Sequence, residues 1–235
     1  MLNDLKKDIE KAKNPEQAKI LQRFFKTGKG EYGEGDIFLG IKVPVQRIIA
    51  KKYTELSFMD LQSLLNSKIH EERLIALIIL TNKYKKAKKD TAKKRQIFEF
   101  YLKNTNNINN WDLVDLSAPN IVGDFSNIDG NEIIRFLAKS KNLWEKRIAI
   151  VSTHAFIKKR IFGETLAVAD ILIKDEHDLI HKAVGWMLRE VGKRNVEVLE
   201  IFLKDRYKTM PRTMLRYAIE KFPEEKRKKY LRGEI

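Results

Sequence analysis

The sequence predicts an all-helical fold built of stacked helix pairs. Three observations lead there. Helix start and stop signals recur from end to end, no segment alternates like a strand with a hairpin turn, and short motifs return at a constant spacing. With 235 residues the chain can bury a substantial core and is read as a single domain over 1–235. A hydrophobic content of 43% separates it from disordered chains.

The elements follow in order. Met1 to Lys13 mixes charged and apolar residues and lacks the apolar core of a signal peptide. Asn14-Pro15 supplies an N-cap and a first-turn proline for a helix that Gly28 closes. Gly28 to Val43 has five glycines and no helical period, as expected of a loop near a ligand or a plain connector. Pro44 opens a helix with Val45, Ile48 and Ile49 on one face, and Ser57-x-x-Asp60 forms a capping box ahead of Leu61, Leu64 and Leu65. Helices are then expected over Glu71–Lys85, Lys94–Lys103, Trp111–Val122, Asn131–Lys139, Trp144–Lys159 and Thr165–Ile173, and over Leu179–Lys193, Val196–Lys204, Thr213–Lys221 and Glu224–Leu231.

The repeats sharpen the class. Asn142-Leu-Trp-Glu-Lys-Arg-Ile-Ala aligns with Asp178-Leu-Ile-His-Lys-Ala-Val-Gly at a shift of 36 residues, and Ile69-His-Glu-Glu-Arg73 aligns with Leu143-Trp-Glu-Lys-Arg147 at 74, about twice that. A two-helix unit of this length is the mark of a HEAT-like solenoid, a superhelix of antiparallel pairs whose second helices line one concave wall. That wall would form a basic groove.

Charge and composition narrow the partner. Lys and Arg exceed Asp and Glu by 47 to 32, a net charge of +15, which favours nucleic acid or an anionic membrane surface. A lysine-rich composition without a polyanionic partner is the plainer alternative. No apolar run approaches the ~18 residues of a membrane span, although Leu74–Leu80 is wholly apolar. The absence of cysteine removes disulfides, thiolate catalysis and Cys-ligated zinc, and a cytoplasmic location is expected.

The repeat phase brings Trp111, Arg147 and Trp186 to nearby registers on successive second helices. Asp115 lies four residues after Trp111 and Arg189 three after Trp186, on the same helix faces. Arg73 and Arg216 extend the basic wall. Each residue has a structural alternative: tryptophans as core, arginines paired to neighbouring carboxylates (Arg73 with Glu71 or Glu72), Asp115 bonded to an arginine. The combination says more, because a carboxylate on a wall that only held phosphates would weaken binding; stabilising a developing positive charge gives it a role.

Asn110-Trp-Asp-Leu-Val-Asp115, Trp144-Glu-Lys-Arg147, Gly185-Trp-Met-Leu-Arg-Glu190 and Pro211-Arg-Thr-Met-Leu-Arg216-Tyr-Ala-Ile-Glu-Lys221, with Gly40-Ile-Lys-Val-Pro44 and His70-Glu-Glu-Arg73, resemble the DNA alkylation repair family, the AlkD-like DNA glycosylases. The resemblance implies excision of N3- and N7-alkylated purines from duplex DNA. No cofactor or metal is expected, and because a solenoid with a basic groove needs no second copy to work, neither is an oligomer. It implies that Trp111, Asp115 and Trp186 are the catalytic cleft residues and that Arg147 and Arg189 contact DNA. Alkylation makes the purine a cationic leaving group, so one carboxylate can stabilise the oxocarbenium-like sugar and place a water while indole faces pack on the deoxyribose. Without a candidate Schiff-base lysine, base removal without strand cleavage is expected. Glu176-His-Asp-Leu179 is polar where apolar or aromatic side chains are expected. The alternative function is a non-catalytic HEAT-like module that binds nucleic acid or protein.

The remaining motifs are weaker. His177 and His181 could share a helix face as metal ligands but lack a third, which favours capping or exposed histidines. Gly28–Gly35 lacks the Gly-Lys-Ser/Thr ending of a phosphate loop, and Lys226–Lys229 reads as a solvated helix face. Arg212 and Arg216 are candidate contacts to backbone phosphates.

Overall fold

The computed structural model describes residues 1–235, and every regular element in it is helical; the sole extended pairing is an isolated parallel bridge between Ile37 and Ile69. No helix is long and apolar enough to cross a membrane. The chain divides into two compact units, Met1–Ser117 and Ala118–Ile235.

In the first unit, α1 (Leu2–Lys11) buries Leu5 and Ile9, four residues apart on one face, where the sequence had announced no helix. α2 (Pro15–Phe24) starts as expected, with Asn14 Oδ1 accepting the Gln17 amide at 3.0 Å. It ends before Gly28, because Phe25 leaves the helix to bury its ring and Lys26 takes a φ of 51°. α3 (Val43–Lys52) turns a different face inward from the one expected: Ile49 is buried with Gln46 and Ala50, while Val45 and Ile48 face outward. Gln46 tolerates burial because its Nε2 donates to the Ile41 carbonyl at 2.6 Å. At α4 (Phe58–Leu65) the Ser57–Asp60 capping box forms in both directions, at 3.2 and 3.1 Å.

α5 (His70–Lys86) is the spine of this unit. Leu74 to Leu80 are all buried between α3, α4 and α7, at about 1.5–3 kcal/mol per large aliphatic side chain. α6 (Thr91–Lys103), capped by Asp90, and a 3₁₀ turn at Thr105–Asn107 lead to α7 (Trp111–Ser117). Tyr101, fully buried, anchors the end of α7 by a 2.9 Å bond between its hydroxyl and Ser117 Oγ.

The second unit opens where the expected Trp111–Val122 helix breaks. Pro119 has no amide proton, and the chain widens into a π turn, Pro119–Gly123, closed by Gly123 N–H to the Ala118 carbonyl at 2.9 Å. α8 (Asp124–Asp129) and α9 (Glu132–Ala138) follow. The expected Trp144–Lys159 helix is divided at Thr153 into α10 (Leu143–Ser152) and α11 (His154–Lys158); Thr153 Oγ1 bonds back to the Ile150 carbonyl at 2.7 Å. α12 (Gly163–Leu172), α13 (Asp178–Gly192), α14 (Val196–Lys204), α15 (Arg212–Ala218) and α16 (Glu224–Arg232) complete it, with α10, α12, α14 and α15 packed on α13. Gly185 allows α15 to close in: a Cβ there would lie 2.5 Å from the Met214 carbonyl oxygen and from Tyr217 Cβ. The matched repeats open helices at His70, Leu143 and Asp178, within one residue of the offsets read from sequence.

Candidate functional site

The first unit presents Trp111 and Asp115 together. α7 begins at Trp111 because the buried Asn110 side chain accepts the Trp111 amide at 2.8 Å, and Asp112 Oδ1 accepts that of Leu113 at 2.8 Å. Asp115, one turn on, shares a face with Trp111, and both are half-buried. Phe24, 61% exposed, stands edge-on to the indole at 5.9 Å.

Behind the indole lies an aromatic stack. Trp111 stacks on Phe25 at 5.1 Å, Phe25 on Phe38 at 4.9 Å, and Phe38 on the His70 ring at 4.4 Å. The indole Nε1–H also donates to the Tyr32 hydroxyl at 3.3 Å. His70 ends the stack between two carboxylates, with Nδ1 3.0 Å from Asp36 and Nε2 2.8 Å from Asp112. Asp36 uses its other oxygen for Arg73, at 2.7 Å. Two cations and two anions thus form a neutral, largely buried quartet. Burial works against a charge on His70, but Asp112 and then Asp36 outweigh it and raise its pKa to about 9. Burial likewise penalises the Asp36 carboxylate, yet the His70 bond and Arg73 hold it below the usual range.

The glycine-rich segment is fastened to the same place. The fully buried Glu71 carboxylate accepts the amides of Leu39, Gly40 and Ile41 at 2.9 to 3.2 Å, and His70 N–H donates to the Ile37 carbonyl at 2.9 Å. Gly40 is required on two counts: its φ is +83°, and a Cβ would meet the Asn14 carbonyl oxygen at 2.0 Å. The segment is therefore built structure that delivers Tyr32 and Asp36 to the site. Arg73, expected on the DNA-facing wall, is buried: it pairs with Asp36 and donates to the Ser67 carbonyl at 2.9 Å.

In the second unit, Trp186 is half-buried on α13 with its ring 6.2 Å from His154 of α11. Burial, reinforced by Lys158, pushes the His154 pKa down and favours the neutral ring. Arg147 is also internal, 5% exposed, with Nη1 donating to the Leu179 carbonyl at 2.8 Å; it ties α10 to the first turn of α13. Arg189 is half-buried and pairs with Glu220, whose carboxyl is held down by Lys221 and by Arg189 against the effect of burial. Arg212 is exposed and donates to the Leu231 carbonyl at 2.7 Å, and Arg216 is exposed on α15. His177 caps α13, accepting the Leu179 amide at 3.1 Å, while His181 Nε2 bonds to the Asp175 carbonyl at 2.5 Å.

Sequence reasoning singled out Trp111, Asp115, Trp186 and the arginines but passed over Asp36, His70, Asp112 and Tyr32. Only the run His70-Glu-Glu-Arg73, three charged residues and a histidine at a helix start that turn out buried, carried a signal of them.

The sequence matches the family model described as DNA alkylation repair enzyme over residues 5–222. No curated protein matches it in sequence. Among solved structures, one described as a predicted DNA alkylation repair enzyme from Enterococcus faecalis is 18% identical with a TM-score of 0.66, covering 90% of this chain and 97% of that one. AlkD2 from Streptococcus mutans is 19% identical with a TM-score of 0.57, over 89% and 98%. The smu.31 protein of Streptococcus mutans UA159 is 18% identical with a TM-score of 0.57, over 88% and 98%. These likenesses show a shared all-helical fold.

Proposed function

Because the chain belongs to the DNA alkylation repair enzyme family, we propose that it is a monofunctional glycosylase that hydrolyses the N-glycosidic bond of N3- or N7-alkylated purines in duplex DNA. The observation that carries this reading is the half-exposed Trp111–Asp115 pair on one turn of α7, an indole face and a carboxylate offered side by side. The electron pair of the C1′–N bond leaves with the cationic purine, which departs neutral. Asp115 stabilises the oxocarbenium-like sugar and orients a water; the water oxygen bonds to C1′ and its proton passes through Asp115 to solvent, leaving an abasic site. Trp111 packs a π face on the sugar as positive charge grows there.

Arg189, Arg212 and Arg216 are the arginines assigned to phosphates, while Arg73 and Arg147 are buried in bonds to Asp36 and to the Ser67 and Leu179 carbonyls. Glu220 competes with phosphate for Arg189. Glu220→Ala is therefore expected to tighten duplex binding about two- to fivefold and to steepen its salt dependence by about one released counterion. Fluorescence anisotropy across a salt series reads both; unchanged binding would remove Arg189 from the contact.

The deciding experiment is chromatography of bases released from methylated duplex DNA. Appearance of 7-methylguanine or 3-methyladenine, with strands left uncut until alkali treatment, is the expected result. No release, together with equal affinity for methylated and unmethylated duplex, would instead identify a non-catalytic nucleic-acid-binding module.

A further inference from the structure

We propose that His70 is the positioning residue of this site: gripped by Asp36 on one side and Asp112 on the other, it fixes the first turn of α7 and with it the Trp111 ring. The proposal rests on the glycosylase reading for what Trp111 is used for, and on geometry for the rest. His70 is 1% exposed, and each ring nitrogen faces a carboxylate oxygen within 3.0 Å. Both contacts are hydrogen bonds only when both nitrogens carry protons, so the bridge is an imidazolium bridge.

Two routes lead from it to Trp111. Through the backbone, Asp112 is the next residue and divides its carboxylate between His70 and the Leu113 amide that starts the helix. Through the rings, each successive pair of the His70–Phe38–Phe25–Trp111 stack lies within 21° of parallel, so the imidazole is in packing continuity with the indole. Asp36 adds a third tie, since its segment also carries Tyr32, the acceptor of the indole N–H. The other charges near the bridge are committed elsewhere. Arg73 is paired with Asp36, Glu71 holds the amides of Leu39, Gly40 and Ile41, and Glu72 faces Lys6 at 3.9 Å. Loss of the imidazolium proton therefore leaves a lone pair against one carboxylate, and the quartet lets go of either the segment or α7.

The test uses the full chain labelled with 5-fluorotryptophan, whose fluorine resonances report Trp111, Trp144 and Trp186; Trp111→Phe assigns the first. Between pH 6 and pH 10 the Trp111 resonance is expected to move in one step with a midpoint near 9, while the other two hold their positions. Asp112→Asn keeps an amide that can donate to a neutral His70 and removes one negative charge, so the step moves to lower pH by about one unit or more. In His70→Gln, kcat for base release is expected to fall by about tenfold or more with KM little changed, the mark of a misplaced group. A Trp111 resonance that stays flat to pH 10, or a step whose midpoint is the same in Asp112→Asn, overturns the proposal. The fluorine step needs no substrate. A step without base release therefore overturns the glycosylase reading alone, and release without a step overturns the bridge alone.

Discussion

Asp115→Asn lowers the release of 7-methylguanine from methylated duplex by about 10²–10³-fold and leaves duplex affinity unchanged or slightly improved. The substitution keeps the shape of the side chain and removes its charge, so the loss reads the electrostatic part of its role. Catalysis counts only what is stronger in the transition state than in the ground state. The alkylated purine is already cationic when it binds, and in the transition state that charge moves onto the sugar, where Asp115 is proposed to wait. Phosphates on either side repel the carboxylate throughout, which is why binding does not suffer when its charge is removed. Single-turnover release with excess enzyme separates the chemical step from binding and product release. A rate within a few-fold of the unsubstituted protein would take the charge on Asp115 out of the mechanism.

The second large effect is on stability. His70 has a pKa near 9 in the folded protein against 6.5 as a free side chain. Its raised pKa means that its contribution is fully present below about pH 6.5 and is lost as pH rises through 9. Between pH 6 and pH 9.5 the folded state should lose on the order of 3 kcal/mol from this group. His154 and His177, whose pKa values burial lowers, act in the opposite sense at the acid end of the range. Urea unfolding of the unsubstituted chain and of His70→Gln across that range isolates the effect by difference. The variant should be weaker at pH 6, and the gap should narrow as pH rises; a gap that stays constant would mean that the quartet does not depend on the imidazolium.

How much of this could be read in advance depended on distance along the chain. The Asn14 cap and the Ser57–Asp60 box were legible because donor and acceptor are three residues apart. Trp111 and Asp115 were legible as a pair because four residues make one helical turn. Arg73 was not: its neighbours Glu71 and Glu72 offered themselves as partners, and the one it takes, Asp36, comes from a segment with no period of its own. The inward face of α3 was misread for a related reason. Gln46 is polar by type, and only the Ile41 carbonyl, delivered by the preceding loop, makes its burial acceptable over that of Ile48. Pro119 was visible, but a proline announces a disturbance without saying whether the helix will stop, kink or widen.

The Glu71 carboxylate implies an order of events during folding. The amides of Leu39, Gly40 and Ile41 donate to no helical or sheet carbonyl; their acceptor lies 30 to 32 residues further along the chain. As the chain emerges from a ribosome the glycine-rich segment appears well before α5, when only its own short turns and the bond from the Asn14 amide to the Leu39 carbonyl are open to it. The Leu39–Ile41 stretch is fixed together with the first turn of α5, when loop closure is repaid by several bonds at once. A nascent chain truncated before Glu71 should show amide chemical shifts of an unstructured polymer over residues 28–42, and native-like shifts there would mean that the segment carries its own instructions.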